Sequence, residues 1–277
     1  MESIRQAVER ARAGKNKPRA QISDNLSQPR GRVDSGPVVR PATGGPETQV
    51  IELSGDHLQS KRIVAHNGAD QRSRPYDMLR TQVLQSMSVG GWKVLGVTSP
   101  TPGCGKTVTA TNLALSIARL PDHLVVLVDF DLQKPQIANS LGLVSAGGGV
   151  LDLLEGRSAL ARVAMPVRAG RQQLVVLPTA ATRESSELMG SRAMRDLIQD
   201  LKRTYQNHII IVDLPPILSS DDVIAVLPQI DCVLLVAAVG QTKASEVEEC
   251  NRHLQSSHLV RVVVNKATDG VHNYYYY

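Results

Sequence analysis

The 277-residue chain has few aromatic residues, few cysteines and no long apolar run. Its three cysteines, Cys104, Cys232 and Cys250, share no close spacing, so they form neither a metal-binding pattern nor a disulfide framework. The longest apolar stretches, such as CVLLVAAV, fall far short of the ~20 residues that a membrane-spanning helix needs. The N-terminal residues MESIRQAVERARAGK carry charges where a signal peptide has its apolar core. These absences predict a soluble protein of a reducing, cytoplasmic compartment.

The charged residues give no sign of a nucleic-acid partner. The formal net charge is +5, from 31 Lys and Arg against 26 Asp and Glu. The positive residues are scattered among acids rather than gathered in a basic patch, which is typical of a solvated, mixed-charge surface. We therefore expect no nucleic acid among the partners.

Two N-terminal segments differ in composition from the rest of the chain. Apolar side chains at Ile4, Ala7, Val8 and Ala11 have the spacing of a short amphipathic helix over residues 1–14. Alone it is too short to be stable in water, so it is either a frayed terminus or a helix that docks on a partner. Residues 15–71 are rich in proline, glycine and arginine, which predicts a disordered linker with an isolated strand in TQVIEL.

Residues 72–266 alternate between apolar runs and helical segments. Helical periodicity begins near Tyr76, and further helices are predicted over residues 106–119, 149–155, 191–205, 221–228 and 243–256. Strands that are buried on both faces and alternate with helices predict an α/β fold, with a mostly parallel sheet covered by helices on both faces. We expect residues 267–277 to form a flexible, tyrosine-rich tail. The apolar runs that predict strands are WKVLGVTS, LVVLVDF, QLVVLPT, HIIIVDLPP, CVLLVAAV and LVRVVVNK.

A glycine-rich segment between the first of these strands and the next helix has the pattern of a phosphate-binding loop. The strict pattern has glycine where this chain has Pro100, so the loop is a variant P-loop. Backbone N–H groups of such a loop surround phosphate oxygens, and the helix N-terminus adds partial positive charge. In this pattern Lys106 reaches the β- and γ-phosphates of ATP, and the Thr107 hydroxyl holds Mg²⁺. The residues expected to contact ATP here are Gly103, Cys104, Gly105, Lys106, Thr107 and Val108.

Three aspartates lie at the ends of two predicted strands. Asp129 and Asp131 follow LVVLV, and Asp213 follows HIIIV. Ligands of open parallel sheets bind outside the carboxyl ends of the strands. Asp213 matches the acid that holds Mg²⁺ through water opposite a P-loop, Asp129 is placed to do the same or to polarise a water, and Asp131 is placed to face a nucleophile. One such aspartate alone would be a turn former or helix cap, but three beside a P-loop predict the site of a P-loop NTPase.

The variant P-loop, VDFDLQKP and IVDLPP together resemble the kinase domain of bacterial protein-tyrosine kinases, a group of deviant P-loop ATPases. More narrowly, they resemble the tyrosine autokinases of exopolysaccharide export operons. The resemblance covers about residues 72–277 and includes SSELMGS, LPPILSSDD and the tyrosine tail. The start of the chain also resembles members of this group that lack their own membrane segment.

The resemblance implies a role for several residues. Lys106, Asp129 and Asp131 would be catalytic, with Asp131 accepting the proton of the attacking tyrosine hydroxyl. Thr107, Asp129 and Asp213 would serve the Mg²⁺ site. Asn265 in VVVNK lies where related ATPases contact adenine. Asp222 aligns with an aspartate of the family pattern and receives no assigned role.

The chain departs from the related families at three places. Thr101 stands where chromosome-partitioning and septum-positioning ATPases carry a lysine that crosses a dimer, which argues against that branch. Gln133 stands where the kinases often have arginine. The helix through which the kinases form oligomers has an acid before a base, whereas RPYDMLRT has Arg74 before Asp77, followed by Arg80. These charges either pair with a neighbouring subunit or form an ordinary i, i+3 pair on a solvated helix.

The tyrosine cluster supplies acceptors for a kinase. Phosphates on adjacent tyrosines repel one another, so unphosphorylated tails would hold subunits together and phosphorylated tails would release them. A neighbouring subunit's site is the easier target sterically, which favours phosphorylation in trans. The resemblance further implies a homo-oligomer, a separate membrane-embedded co-polymerase protein that recruits the chain to the inner face of the cell membrane, and a tyrosine phosphatase. The expected phosphoacceptors are Tyr274, Tyr275, Tyr276 and Tyr277.

Two other functions share this scaffold. A partitioning- or positioning-type ATPase would dimerise on ATP without kinase activity, and both Thr101 and the tyrosine cluster favour the kinase over it. An iron–sulfur reductase would need paired cysteines in loops. Because Cys232 falls in a predicted strand and Cys250 in a predicted helix, we discount the reductase.

Overall fold

The computed structural model describes residues 49–144, 149–255 and 257–267. The predicted helix over 1–14, the linker up to residue 48 and the four tail tyrosines lie outside these residues. The described residues contain an eight-stranded sheet with the strand order β1-β4-β5-β3-β6-β2-β7-β8. The strands are β1 (Ile51–Glu52), β2 (Val94–Thr98), β3 (Leu124–Asp129), β4 (Met165–Ala169), β5 (Gln172–Leu177), β6 (His208–Asp213), β7 (Cys232–Ala238) and β8 (His258–Asn265).

The sheet is mostly parallel, as predicted. Every neighbouring pair is parallel except β4 and β5, which are antiparallel. The six predicted apolar runs form β2, β3, β5, β6, β7 and β8. The sequence analysis missed β4, since its segment MPVRA includes a proline and an arginine and has no continuous apolar run.

Helices cover both faces of the sheet, which confirms the predicted architecture. Alternate residues of β3 face opposite ways: Val126 and Val128 pack into one apolar core, whereas Val125 and Leu127 pack into the other. The helices are α1 (Gly55–Ser60), α2 (Arg74–Gly90), α3 (Lys106–Ala118), α4 (Ile137–Leu141), α5 (Val150–Leu154), α6 (Leu160–Val163), α7 (Ser185–Met189), α8 (Arg192–Thr204), α9 (Asp222–Val226) and α10 (Ala244–His253), with 3₁₀ turns at Gln71–Ser73 and Leu227–Gln229.

The folded part of the chain begins earlier than the boundary predicted at residue 72. Residues 49–71, which the sequence analysis assigns to a disordered linker, include β1 and α1, and β1 pairs with β4. Leu58 and Ile63 are fully buried, and Asn112 Oδ1 accepts the backbone N–H groups of Val64 and Ala65 at 2.8 and 2.9 Å. The few apolar residues here have no periodicity of their own, and they are buried in a core cluster that also contains Leu113 of α3 and Ile137 of α4. The linker prediction is therefore wrong for this segment.

None of the helices in the described part of the chain is both long enough and apolar enough to span a membrane.

Candidate nucleotide-binding site

The predicted P-loop connects the end of β2 to the start of α3. Gly103 and Gly105 have φ angles of 83° and 92°, in the left-handed region that favours glycine. A Cβ atom added to Gly105 would clash with Asn265 Nδ2. The second glycine is therefore required by both the backbone conformation and the close approach of a neighbouring strand.

Residues from β8 and from the segment after β7 hold the loop from outside. Asn265 Nδ2 donates a hydrogen bond to the Cys104 carbonyl at 2.9 Å, and Gln241 Nε2 donates one to the Pro102 carbonyl at 2.6 Å. The buried Cys104 Sγ lies 3.5 Å from Thr242 Oγ1. The structure thus shows Asn265 in contact with the loop itself, and its contact with adenine stays a prediction.

Gln241 and Thr242 were not among the residues that the sequence analysis named. They follow β7 at the carboxyl edge of the sheet, next to Gly240, which has a φ of 72°. Because β7 pairs with β2 in parallel, the segments that follow the two strands emerge at the same edge. That topology is the signal that would have placed Gln241 beside the P-loop.

Lys106, the first residue of α3, reaches two of the three strand-end aspartates. Its Nζ lies 2.7 Å from Asp131 Oδ2 and 3.5 Å from Asp213 Oδ1. Burial alone lowers the pKa of this amine, but the negative charges of Asp213 and Asp131 outweigh that effect and raise the pKa above its usual value. Lys106 is therefore a charged, almost fully buried cation aimed at the acids.

Asp213 ends β6 directly opposite the loop, in register with Asp129 of β3. Its Oδ2 accepts a hydrogen bond from Thr107 Oγ1 at 2.5 Å. The carboxylate is fully buried, which raises its pKa although Lys106 and Thr107 act in the opposite direction. Among the described residues its Oδ1 has no hydrogen-bond partner, although it lies near Lys106. An unsatisfied buried oxygen at this point is available to a further ligand.

The oxygen atoms here fit Mg²⁺ held together with phosphates. Mg²⁺ in nucleotide sites is bound by one or two protein oxygens, substrate phosphates and water. Thr107 Oγ1 and Asp213 supply such hard oxygen ligands side by side. The described residues contain no group of three or more His, Cys, Asp or Glu that could hold a metal ion.

Asp129 and Asp131 organise the turn that follows β3. Asp129 Oδ2 accepts the backbone N–H groups of Gln136 and Ile137, both at 3.0 Å, and its Oδ1 accepts that of Asp131 at 3.2 Å. Asp131 Oδ1 accepts the N–H of Lys134 at 2.9 Å. Burial, with a contribution from the charge of Asp213, raises the pKa of Asp129 to about 8. In the structure the Asp129 carboxylate accepts hydrogen bonds from the backbone of the turn that follows it. Its role as a metal ligand stays a prediction.

The charged residues of α2 form contacts within the subunit. Asp77 Oδ1 lies 3.2 Å from Arg80 Nη1 and 2.9 Å from Arg119 Nη1, and it accepts a hydrogen bond from Ser116 Oγ at 2.6 Å. Arg80 also donates to the Ser116 carbonyl at 2.9 Å. Arg74 is exposed and forms no ion pair with the residues that the structure describes. Asp77 and Arg80 therefore join α2 to α3 as well as forming an i, i+3 pair, and a contact between subunits stays a prediction.

The chain is similar to proteins named tyrosine-protein kinases. It is 31% identical over 232 residues to the putative tyrosine-protein kinase EpsB of Ralstonia solanacearum, a match that covers 80% of this chain but only 30% of EpsB. It is 26% identical over 227 residues to the tyrosine-protein kinase YwqD of Bacillus subtilis, covering 80% of this chain and 93% of YwqD. The expected resemblance to bacterial tyrosine kinases is thus confirmed, although the chain spans less than a third of EpsB.

A solved structure has the same fold. The kinase domain of the Escherichia coli tyrosine kinase ETK superposes with a TM-score of 0.66 at 29% identity, over 76% of this chain and 81% of that domain. Residues 95–274 also match the family model described as the CobQ/CobB/MinD/ParA nucleotide binding domain. The match includes the P-loop, the aspartates at the ends of β3 and β6, and Asn265. The chain therefore belongs to the CobQ/CobB/MinD/ParA nucleotide-binding domain family.

Proposed function

We propose that the chain is an ATP-dependent protein-tyrosine kinase that phosphorylates its own C-terminal tyrosines. The observation that carries the proposal is the position of Lys106, whose amine lies 2.7 Å from Asp131 and 3.5 Å from Asp213 at the mouth of a P-loop. This arrangement brings a phosphate-binding cation, a candidate metal oxygen and a candidate proton acceptor together. The similarity to proteins named tyrosine-protein kinases supports the same chemistry.

ATP would be held by the loop and the amino end of α3. The backbone N–H groups around Gly103 and Gly105 and the amine of Lys106 bind phosphate oxygens. Thr107 and Asp213 would hold Mg²⁺, whose positive charge would offset the negative charge that develops on the β- and γ-phosphates during transfer.

The transfer step needs alignment and a proton acceptor rather than a covalent enzyme intermediate. The tyrosine Oη forms a bond to the γ-phosphorus while the bond from that phosphorus to the β–γ bridging oxygen breaks. The phenol proton passes to the Asp131 carboxylate, and ADP leaves. A phenol has a pKa near 10, so a carboxylate positioned against it contributes to the reaction. The backbone bond from Lys134 to Asp131 Oδ1 orients that carboxylate.

The end of β8 supports delivery of the tyrosines to this site. Asn265, the last residue of β8, contacts the P-loop carbonyl of Cys104, and Lys266 Nζ donates to Gln241 Oε1 at 3.1 Å. The chain thus leaves the sheet beside the P-loop. From Asn265 to Tyr274 the chain advances by nine residues, which gives a reach of at most about 30 Å. That reach is compatible with phosphorylation in cis or in trans, of which we propose trans.

Regulation and partners extend the proposal. We expect a homo-oligomer that involves the helix containing residues 74–81 and the tail, and that phosphorylation loosens. We propose that a separate membrane-embedded co-polymerase protein recruits the chain to the inner face of the membrane. A tyrosine phosphatase would reverse the modification. These interactions would link the kinase to exopolysaccharide polymerisation or export.

The direct test is phosphotyrosine formation by the purified chain with ATP and Mg²⁺. Mass spectrometry is expected to find phosphate on the tyrosines at 274–277, and a variant with phenylalanine at all four positions is expected to lose it. Mixing Lys106→Met, which keeps its tail, with an otherwise wild-type chain that lacks residues 267–277 tests transfer in trans. Phosphate on the Lys106→Met chain would support trans transfer. No phosphotyrosine in the wild-type protein would refute the kinase proposal.

A nucleotide-dependent switch of the partitioning or positioning type is the alternative, because the matched family model includes the MinD and ParA proteins. It would hydrolyse ATP and dimerise on ATP without forming phosphotyrosine. Hydrolysis without phosphotyrosine, together with an ATP-dependent doubling of mass in light scattering, would favour it over the kinase.

A further inference from the structure

Asp222 is a buried carboxylate outside the phosphate-binding residues. It is the first residue of α9 and has no exposed surface. Its Oδ2 accepts a hydrogen bond from Gln133 Nε2 at 3.1 Å, and its Oδ1 accepts one from Ser186 Oγ at 2.5 Å. In the part of the chain that the structure describes it forms no ion pair. A buried carboxylate whose side-chain donors are neutral is costly, so its presence calls for a role beyond packing.

The two hydrogen-bond donors to Asp222 come from different segments at the carboxyl edge of the sheet. Gln133 belongs to the turn after β3, and Ser186 belongs to α7. Asp222 itself follows β6, the neighbour of β3 in the sheet. One carboxylate therefore joins three segments, namely the turn after β3 that carries Asp131, α7 and the start of α9.

Gln133 is the side chain that ties the turn carrying Asp131 to Asp222. Within that turn, Asp129 and Asp131 accept backbone N–H groups and set its internal shape. Those bonds do not fix the turn against its surroundings. The backbone of Thr182 holds it on the β5 side, donating to the Leu132 carbonyl at 2.8 Å. On the β6 side the Phe130 N–H donates to the Asp213 carbonyl at 2.9 Å, and the Gln133–Asp222 bond adds a side-chain contact further along the turn.

We propose that Asp222 is a positioning residue for the transfer reaction, acting through Gln133 to hold Asp131 in place. This inference rests on the proposed kinase function, in which Asp131 takes the phenol proton. Misplacing a reacting group by about 1 Å can reduce a rate about 100-fold. Nucleotide binding depends on the P-loop and Asp213, which Asp222 does not contact by hydrogen bond, so its loss should affect turnover rather than ATP affinity.

Variants that reverse the direction of the hydrogen bond test the Gln133–Asp222 pair without leaving a cavity. In Gln133→Glu a second carboxyl group replaces the amide donor, so at high pH, where both groups are ionised, the two charges repel each other and the tie is lost. In Asp222→Asn the new amide can donate to Gln133 once the Gln133 amide turns over, while its oxygen still accepts from Ser186. In the double variant the amide introduced at position 222 donates to the carboxylate introduced at position 133, which restores the tie with its direction reversed. Gln85→Glu, at an exposed position of α2, is the matched control for the added charge.

Two measurements distinguish a loss of Asp131 positioning from a general loss of folded structure. For a tyrosine peptide as acceptor, Gln133→Glu is expected to lower kcat at least about tenfold with little change in the Kd for ATP and Mg²⁺, and the double variant is expected to recover most of that loss. Hydrogen exchange of residues 131–137 is expected to accelerate in Gln133→Glu and to return towards wild type in the double variant. Gln85→Glu is expected to remain close to wild type in both measurements.

Each outcome decides the inference. If Gln133→Glu leaves both kcat and exchange unchanged, or if the double variant fails to recover, Asp222 does not position the turn. If hydrogen exchange changes but kcat does not, the Gln133–Asp222 bond holds the turn without affecting the reaction at Asp131. That result also overturns the proposal. If the wild-type protein forms no phosphotyrosine, the kinase proposal fails separately, and exchange alone then shows whether Asp222 holds the turn.

Discussion

Two clusters of charged residues contact α3, one at its amino end and one near its carboxyl end. They differ in how completely their carboxylates are paired with hydrogen-bond donors. At the amino end of the helix, Lys106 is a single cation among three buried aspartates, and Asp213 Oδ1 has no hydrogen-bond partner among the described residues. On the side packed against α2, Asp77 is a single acid that binds two arginines and a serine hydroxyl. The first cluster has more buried carboxyl groups than cations to pair with them, and burial raises the pKa of Asp129 and Asp213, whereas the acid of the second cluster is fully supplied with donors.

The difference indicates what each cluster does. Buried carboxylates that outnumber their cations destabilise the folded protein, so they persist where a ligand needs them. A partly exposed acid with several donors gives modest stability and requires no ligand. We therefore expect changes at the first cluster to alter function more than stability, and changes at Asp77 to alter stability more than function.

Removing the cation of the first cluster is expected to have the largest effect. Lys106→Met should reduce phosphotyrosine formation about 100- to 1000-fold, because charge on the transferred phosphate loses its main protein cation. Quantitative phosphotyrosine blots and ATP-binding calorimetry measure it. Lys93→Met, an exposed lysine just before β2 at the opposite edge of the sheet, serves as the control and should retain activity. Equal activity of the two variants would contradict a role for Lys106 in phosphate binding.

Replacing the Asp213 carboxyl group tests the excess of buried acids directly. In Asp213→Asn the side-chain oxygen can still accept the Thr107 hydrogen bond, but one buried ionisable group disappears. We expect activity with Mg²⁺ to fall about 10- to 100-fold, while the midpoint of thermal unfolding stays the same or rises. Kinetics at a series of Mg²⁺ concentrations and calorimetric unfolding provide the two measurements. A variant that is both fully active and less stable would show that Asp213 is a structural acid.

The sequence was enough to predict that Lys106, Thr107 and Asp213 lie together, but not the contacts that surround them. Lys106, Thr107 and Asp213 belong to motifs whose spacing follows from strand, loop and helix, and the structure brings them together. Gln241 and the partners of Asp222 come from distant segments, and no local pattern marks them. The ordered residues 49–71 were missed for the same reason, since Asn112 of α3 supplies the acceptor for their backbone. Asp129 shows a further limit, because its bonds to the turn after β3 depend on three-dimensional closure of that turn.

Asp77 is the corresponding test of the second cluster. Asp77→Ala leaves Arg80 and Arg119 without their shared acceptor, and we expect the free energy of unfolding to fall by about 1–2 kcal/mol with unchanged ATP binding. Asp200→Ala, which removes the exposed i, i+3 partner of Arg203, is the matched control and should change stability by less than about 0.5 kcal/mol. Urea titration measures both. If Asp77→Ala instead keeps its stability and dissociates an oligomer in light scattering, the charges of α2 act between subunits.

The smallest expected effect concerns Asp231, a second satisfied acid, far from the P-loop at the amino edge of the sheet. Burial alone would raise its pKa, but hydrogen bonds from Lys202 at 2.7 Å and from the backbone N–H groups of Lys93 and Val94, both at 2.9 Å, outweigh burial and lower the pKa below its usual value of 3.8. As the pH falls below about 4, the unfolded chain takes up the proton first.

The stabilisation from Asp231 is therefore complete above that pH and is lost as the pH falls through the lower pKa of the folded protein. Asp231→Asn should lower the free energy of unfolding by about 1 kcal/mol at pH 7, with the difference from wild type shrinking towards pH 3. Urea titrations at several pH values measure this difference, and Asp122→Asn, at an exposed position, is the control. A difference that persists unchanged at pH 3 would mean that the packing of the side chain, rather than its charge, supplies the stability. In that case the hydrogen bonds to the ionised carboxylate would not be what stabilises the fold at Asp231, in contrast to what we expect for Asp77.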